Sequence, residues 1–265
     1  MLSHDEPLAV QFPELGAPAA WFDAFAARYV TEETCGPLEL KIRHTARVTR
    51  HAARITPSLG LSSECARAAL LAALLHDTGR FPQFARWKTF RDPDSVNHGL
   101  LGARTVREQA VLENESPRVR RLALVGIGLH NRYALPQGLD SEARLITDIV
   151  RDADKIDILH IFREELARPE PSPDVVLHVA REPDKWSPAI ARMVRDDRIP
   201  DYRDLKYVND FIMLLCSWLP GLAFEESRRI VHAAGSVAAL LDYLPRDAAL
   251  DPVRAHVRRV IERQG

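Results

Sequence analysis

The segment ARAALLAALLHDTGR (66–80) constrains the fold more than any other part of this chain. Alanine and leucine are strong helix formers, and a stretch carrying them on every side reads as a buried helix. It closes on His76 and Asp77, which places an imidazole and a carboxylate beside the core, where an unpaired charge is costly. Something must neutralise that carboxylate. His44 upstream, with His98, His130 and Asp154 downstream, completes a set of residues able to hold one or two divalent metals.

The remaining apolar segments are also helical in period or composition, and Pro and Gly fall between them, which predicts an all-α protein. Helices are expected near 17–30, 38–56, 62–77, 95–112, 117–132, 141–167, 172–181, 206–219, 224–243 and 251–264. Ser62 is the expected N-cap of the helix that ends at His76, and Pro57 and Gly60 mark the turn before it. The polar, Pro-containing stretches RPEPSP (168–173) and REPDKWSP (181–188) are too short and too varied to be flexible linkers. The expected organisation is one domain over 1–265, with a metal-bearing helical bundle at about 38–167 and a carboxy-terminal helical extension at about 168–265.

A formal net charge of -1 argues against a nucleic-acid polymer or a membrane surface as partner. No stretch approaches the roughly 20 apolar residues of a membrane span, and the first residues lack the pattern of a secretory signal. The three cysteines, Cys35, Cys65 and Cys216, are widely spaced and suit free thiols in a reducing cytoplasm, with Cys65 and Cys216 in the core.

His44 and His51 lie two turns apart on one helical face, so only one of them can reach a given metal. Contiguous His76 and Asp77 at a helix end can both turn toward one cavity. Two divalent ions sharing a carboxylate, with imidazoles filling the remaining positions, acidify bound water and clamp the oxygens of a phosphoryl group. Imidazole-rich ligation favours Fe, Mn, Co, Ni or Zn over Mg. An EF-hand reading of the 152–157 segment fails, since Ile156 and Asp157 stand where Gly is needed and no Glu closes the loop.

The order His44, His76-Asp77, Asp154 resembles the H…HD…D signature of the HD superfamily of metal-dependent phosphohydrolases. The strings HDTGRFPQF, TFRDPDSVNHGLLG, HNR and RDADKIDIL resemble one bacterial branch of it, well over about 40–160 and more weakly at YVNDFIMLLCSWLPGLAFEES. The resemblance implies that His44, His76, Asp77 and Asp154 hold one metal and that Asp77 bridges to a second held by His98 and His130. Asp154 is taken over Asp152 because the branch's aspartate directly precedes the basic residue of DKID, which leaves Asp152 as a helix-surface acid or one supporting the ligands. Thr78-Gly79-Arg80 replaces the paired acids of the alarmone hydrolases, and the GYP motif of the cyclic-dinucleotide type is absent.

Arg80 and Lys155 are the cations expected to meet a substrate phosphate, Arg through bidentate contact and Lys as a point charge. Arg132 and Lys41 are expected to be solvated, His51 to support a ligand or pack in the core, and His4, His160, His178, His232 and His256 to be structural or exposed. The function implied is a cytoplasmic hydrolase acting on a small phosphate ester or nucleotide, with Asp77, Arg80 and Lys155 in catalytic roles. A di-iron oxygenase on the same ligands and a non-catalytic sensor of metal or nucleotide are the rival readings, since fold and ligands do not separate the three.

Overall fold

Helix formers dominate the periodic stretches, and the computed structural model, which describes residues 6–168 and 179–264, is all-α. In chain order the helices are α1 (Leu8–Gln11), α2 (Gly16–Ala27), α3 (Cys35–Ile55), α4 (Ser63–Leu75), α5 (Arg80–Trp87), α6 (His98–Glu108), α7 (Pro117–Leu129), α8 (Ser141–Leu166), α9 (Pro188–Arg195), α10 (Val208–Cys216), α11 (Glu225–Ala234), α12 (Ser236–Asp242) and α13 (Asp251–Gln264). Short 3-10 turns separate several of them, and the β pairing among the described residues is limited to a single bridge between Ala180 and Tyr207. None of the described helices is long and apolar enough to cross a membrane.

The chain divides into two units, Met1–Asp154 and Lys155–Gly265, with the division inside α8. In the first, α4 is the central helix, with Ala68, Ala69, Leu71, Ala72, Ala73, Leu74 and Leu75 all removed from solvent. It packs on α3, α7 and α2. Small residues set these distances: a Cβ added at Gly126 would stand 3.0 Å from the Ala72 Cβ and 3.2 Å from Ile146 Cγ2. Phe22, Phe25, Tyr29 and Phe81 form an aromatic cluster between α2 and α5. In the second unit α10 packs on α9 and α12, and α13 on α9 and α11. The buried Asp210 carboxylate accepts from Ser187 N at 2.7 Å, Ser187 Oγ at 2.8 Å and Lys206 N at 3.0 Å.

Helix starts follow their caps. Ser62 accepts from Cys65 N, Asn97 from Leu100 N and Ser116 from Val119 N, each satisfying an amide the helix leaves without a partner. Two expected features differ. The single helix near 224–243 is two helices, broken at Gly235, whose φ of 60° is left-handed. Helices α1, of four residues, and α5 and α9, of eight each, lie outside the expected helices, because so short a segment shows little periodicity. Of the helix expected near 172–181, residues 172–178 lie outside the described residues, and Ala180 forms the bridge to Tyr207. All but the first residue of RPEPSP, and His4 and His178, also lie outside them.

Candidate metal centre

Helix ends deliver most of the centre. His76 and Asp77 follow Leu75, the last residue of α4; His130 follows Leu129, the last of α7; His98 is the first residue of α6. His44 and Lys41 lie one turn apart within α3, and Asp154 lies within α8. The last carbonyls of a helix lack intrahelical partners, and two of the histidines use this in the same way. His76 Nδ1 donates to Ala73 O and His130 Nδ1 to Ile127 O, each at 2.8 Å and each three residues back. A carbonyl only accepts, so the proton is on Nδ1 and Nε2 presents its lone pair inward.

Close backbone approach brings α6 to this point. A Cβ on Gly79 would lie 2.1 Å from His98 O and 2.7 Å from Gly102 N, both backbone atoms. Glycine is therefore required in HDTG for His98 to stand opposite Asp77.

The two oxygens of Asp77 face different ligand sets. Oδ2 lies 3.5 Å from His44 Nε2 and 3.7 Å from His76 Nε2. Asp154 Oδ1 joins that side, 3.1 Å from His44 Nε2 and 4.0 Å from His76 Nε2. Oδ1 of Asp77 faces His98 Nε2 at 3.5 Å and His130 Nε2 at 3.9 Å. In each of two groups, His44–His76–Asp77 and Asp77–His98–His130, the potential ligand atoms all lie within 4.8 Å of one another, and all these residues are buried.

Across the second group the imidazole nitrogens converge, His98 Nε2 on His130 Nε2 at 3.0 Å. His98 Nδ1 is 2.8 Å from both oxygens of Asp92. An ionised carboxylate also only accepts, so His98 carries its proton on Nδ1 as His130 does. Two lone pairs therefore point at each other, an arrangement that suits a shared cation. His44 Nε2 and His76 Nε2 approach to 3.3 Å on the other side.

Burial sets the charge states. It pushes His98 down to about 4, helped by the nearby Arg80, and His130 down to about 4, helped by His76. It also lowers His76. All three are neutral at pH 7. Burial alone would raise Asp77, but Lys41, His76, Arg80 and His98 outweigh it and hold the carboxyl well below its usual range. Asp154 is lowered likewise against its burial, chiefly by His44. Neutral imidazoles around ionised carboxylates are the donor set that a borderline divalent cation takes, so the residues present fit such an ion on each side of Asp77.

Several participants went unrecognised in the sequence. Lys41, expected to be solvated, reaches Asp77 Oδ2 at 2.9 Å and stands 5.5 Å from the Phe90 ring centroid. Its signal was position, one turn before His44 on the same face. Asp92 accepts from His98, Asn131 Nδ2 (2.8 Å), Gln83 Nε2 (2.9 Å) and Arg80 Nη1 (3.1 Å). Burial opposes its charge, but His98 and Arg80 hold it well below the ordinary carboxylate range. A second acid in TFRDPDSVNH and the Asn after His130 were the available hints.

Arg80 lies at the centre, with Nε 3.5 Å from Asp77 Oδ1, but its Nη1 is committed to Asp92, to Gln83 Oε1 and to the Phe90 carbonyl. Lys155 is half-buried beside Asp154 in the chain and belongs to the second unit. Arg132 is exposed, as expected. His51 is half-buried, and Asp152, expected on the surface or behind the ligands, is 2% exposed. His160 and His256 pair with Glu164 and Asp197, and His232 is exposed.

A family model described as HD domain matches residues 42–203, more than half of the chain and a span that includes every candidate ligand named above. No curated protein and no solved structure matches the chain.

Proposed function

The chain belongs to the HD domain family, and from that premise we propose that it is a metal-dependent phosphohydrolase acting on a small phosphate ester or nucleotide. The observation that carries the reading is the split of Asp77, one oxygen toward His44 and His76 and the other toward His98 and His130. His44, His76, Asp77 and Asp154 would hold one divalent ion, and Asp77, His98 and His130 the other. When bound, such ions acidify water and offset charge on phosphoryl oxygens.

The chain's own groups prepare the site for this. Asp77 and Asp154 stay ionised, and His76, His98 and His130 stay neutral with a lone pair free for an ion. Lys41 holds a positive charge at the partly open edge of the centre, 17% exposed, where a phosphate can reach it as a point charge. Arg80 keeps a second cation against Asp77 in a fixed orientation. The ions best suited to these ligands are Fe, Mn, Co, Ni or Zn. A cytoplasmic location belongs to the same reading, supported by the free thiols of Cys35, Cys65 and Cys216.

The deciding experiment measures bound metal in the purified protein and then phosphate release from a panel of nucleotides and phosphate monoesters, with each metal supplied in turn. Chelator-sensitive release of phosphate is expected. Oxygen consumption by the iron-loaded protein without phosphate release would favour the oxygenase, and tight metal binding with no turnover of either kind would make it a sensor.

A further inference from the structure

We propose that Asp92 is a positioning residue that sets occupancy of the second ion, the one facing His98 and His130, independently of the first. The inference rests on the two-ion part of the reading above. The histidines whose Nδ1 partners are described differ in kind: His76 and His130 donate to neutral carbonyls within their own helices, whereas His98 donates to a carboxylate. A carboxylate behind an imidazole fixes its tautomer and makes the facing nitrogen a stronger donor.

Asp92 is itself held on several sides. Gln83, fully buried, donates Nε2 to Asp92 Oδ1 and also bonds Ser95 Oγ at 2.8 Å and Val96 O at 3.1 Å. Arg80 Nη1 bonds both Asp92 and Gln83 Oε1. Asn131, directly after His130, donates to Asp92 Oδ2. The carboxylate thus links α5, the start of α6 and the end of α7 at the second ligand set. On the other side, the described Nδ1 partner of His76 is its own helix carbonyl, so loss of Asp92 leaves that bond in place.

The test is isothermal titration of metal-stripped protein with Mn²⁺, checked by equilibrium dialysis, for wild type, Asp92→Asn and Asn131→Ala. Wild type should take two ions. Asp92→Asn should weaken the second by about 10- to 100-fold while the first changes by less than about threefold, the range expected when such a supporting partner is lost. Asn131→Ala, which removes one donor to Asp92 and no ligand, should weaken the same ion by less, and it serves as the reporter if Asp92→Asn does not fold. Nitrogen-15 NMR of the metal-free wild type should place the His98 proton on Nδ1. Equal weakening of both ions, or no change in either variant, overturns the role of Asp92 while leaving the two-ion centre standing. Wild type that takes no ion overturns both.

Discussion

At the residue scale, Asp77 is the one group shared by both ligand sets, and its loss should be the most damaging single change. Asp77→Ala removes a ligand from each side and leaves Lys41 and Arg80 without the carboxylate that faces them. Metal analysis after gel filtration should show both ions lost, with phosphatase activity lost alongside; full occupancy in the variant would refute the shared carboxylate. Arg80→Ala should behave differently from the loss of a simple phosphate contact, since its Nη1 supports Asp92, Gln83 and the Phe90 carbonyl. Metal content as well as turnover should fall, and Arg80→Lys should not restore it, because a single ammonium cannot reproduce a planar fork of donors. Undiminished metal content in Arg80→Ala would return Arg80 to a purely substrate-facing role.

The same residues predict a pH dependence for the metal-free protein. His98 and His130 titrate near 4 when folded and near the ordinary 6.5 when unfolded. Between those values the unfolded chain binds more protons, so folding stability is full above about 6.5 and declines as pH falls toward 4. Asp77 and Asp154, both lowered in the fold, add a further loss only as pH drops below the ordinary carboxylate range. Urea midpoints measured in chelator should therefore fall between pH 7 and 4.5. A midpoint that stayed level through that interval would show that these imidazoles are not held neutral.

At the element scale, the centre depends on α6 touching the turn after α4. The critical group is Gly79, where any Cβ would meet the backbone of His98 and Gly102 rather than a yielding side chain. Gly79→Ala should destabilise by about 1–3 kcal/mol through overpacking and should loosen ion binding by moving His98. Gly138→Ala, where an added Cβ meets nothing within 4 Å, should be neutral to about 0.5 kcal/mol. Chemical denaturation of the two variants checks the contrast, and equal effects would mean that contact at Gly79 is not limiting. Helix identity was legible wherever a long apolar period or a cap was present, as at Ser62 and α4. It was illegible at α5, because RFPQFARW is held by the contacts of Phe81 with Phe22 and Phe25 from α2, which no local pattern announces.

At the scale of the whole molecule, binding of the proposed ions would be linked to folding. A ligand that binds only the native state at 100 times its dissociation constant stabilises it by about 2.7 kcal/mol. Chelation should therefore lower the thermal midpoint, and adding back Mn²⁺ or Zn²⁺ should restore it. An unchanged midpoint would mean that the ligand cluster holds itself together without an ion. The all-α class, the buried α4 helix and the identity and order of His44, His76, Asp77, His98, His130 and Asp154 could all be read from the chain, because helical period and residue chemistry are local properties. The sequence alone also implied which ligands belong together, but only through a family resemblance. Tertiary structure decided that each oxygen of Asp77 faces its own pair of imidazoles, that Lys41 is drawn onto Asp77, and that Asp92 stands behind His98. Those relations depend on atoms from α3, the end of α4, the turn before α6, α6 itself and the end of α7 meeting at one point. Hydrogen bonds and charges act over a few ångströms in space, and spacing along the chain does not encode that distance.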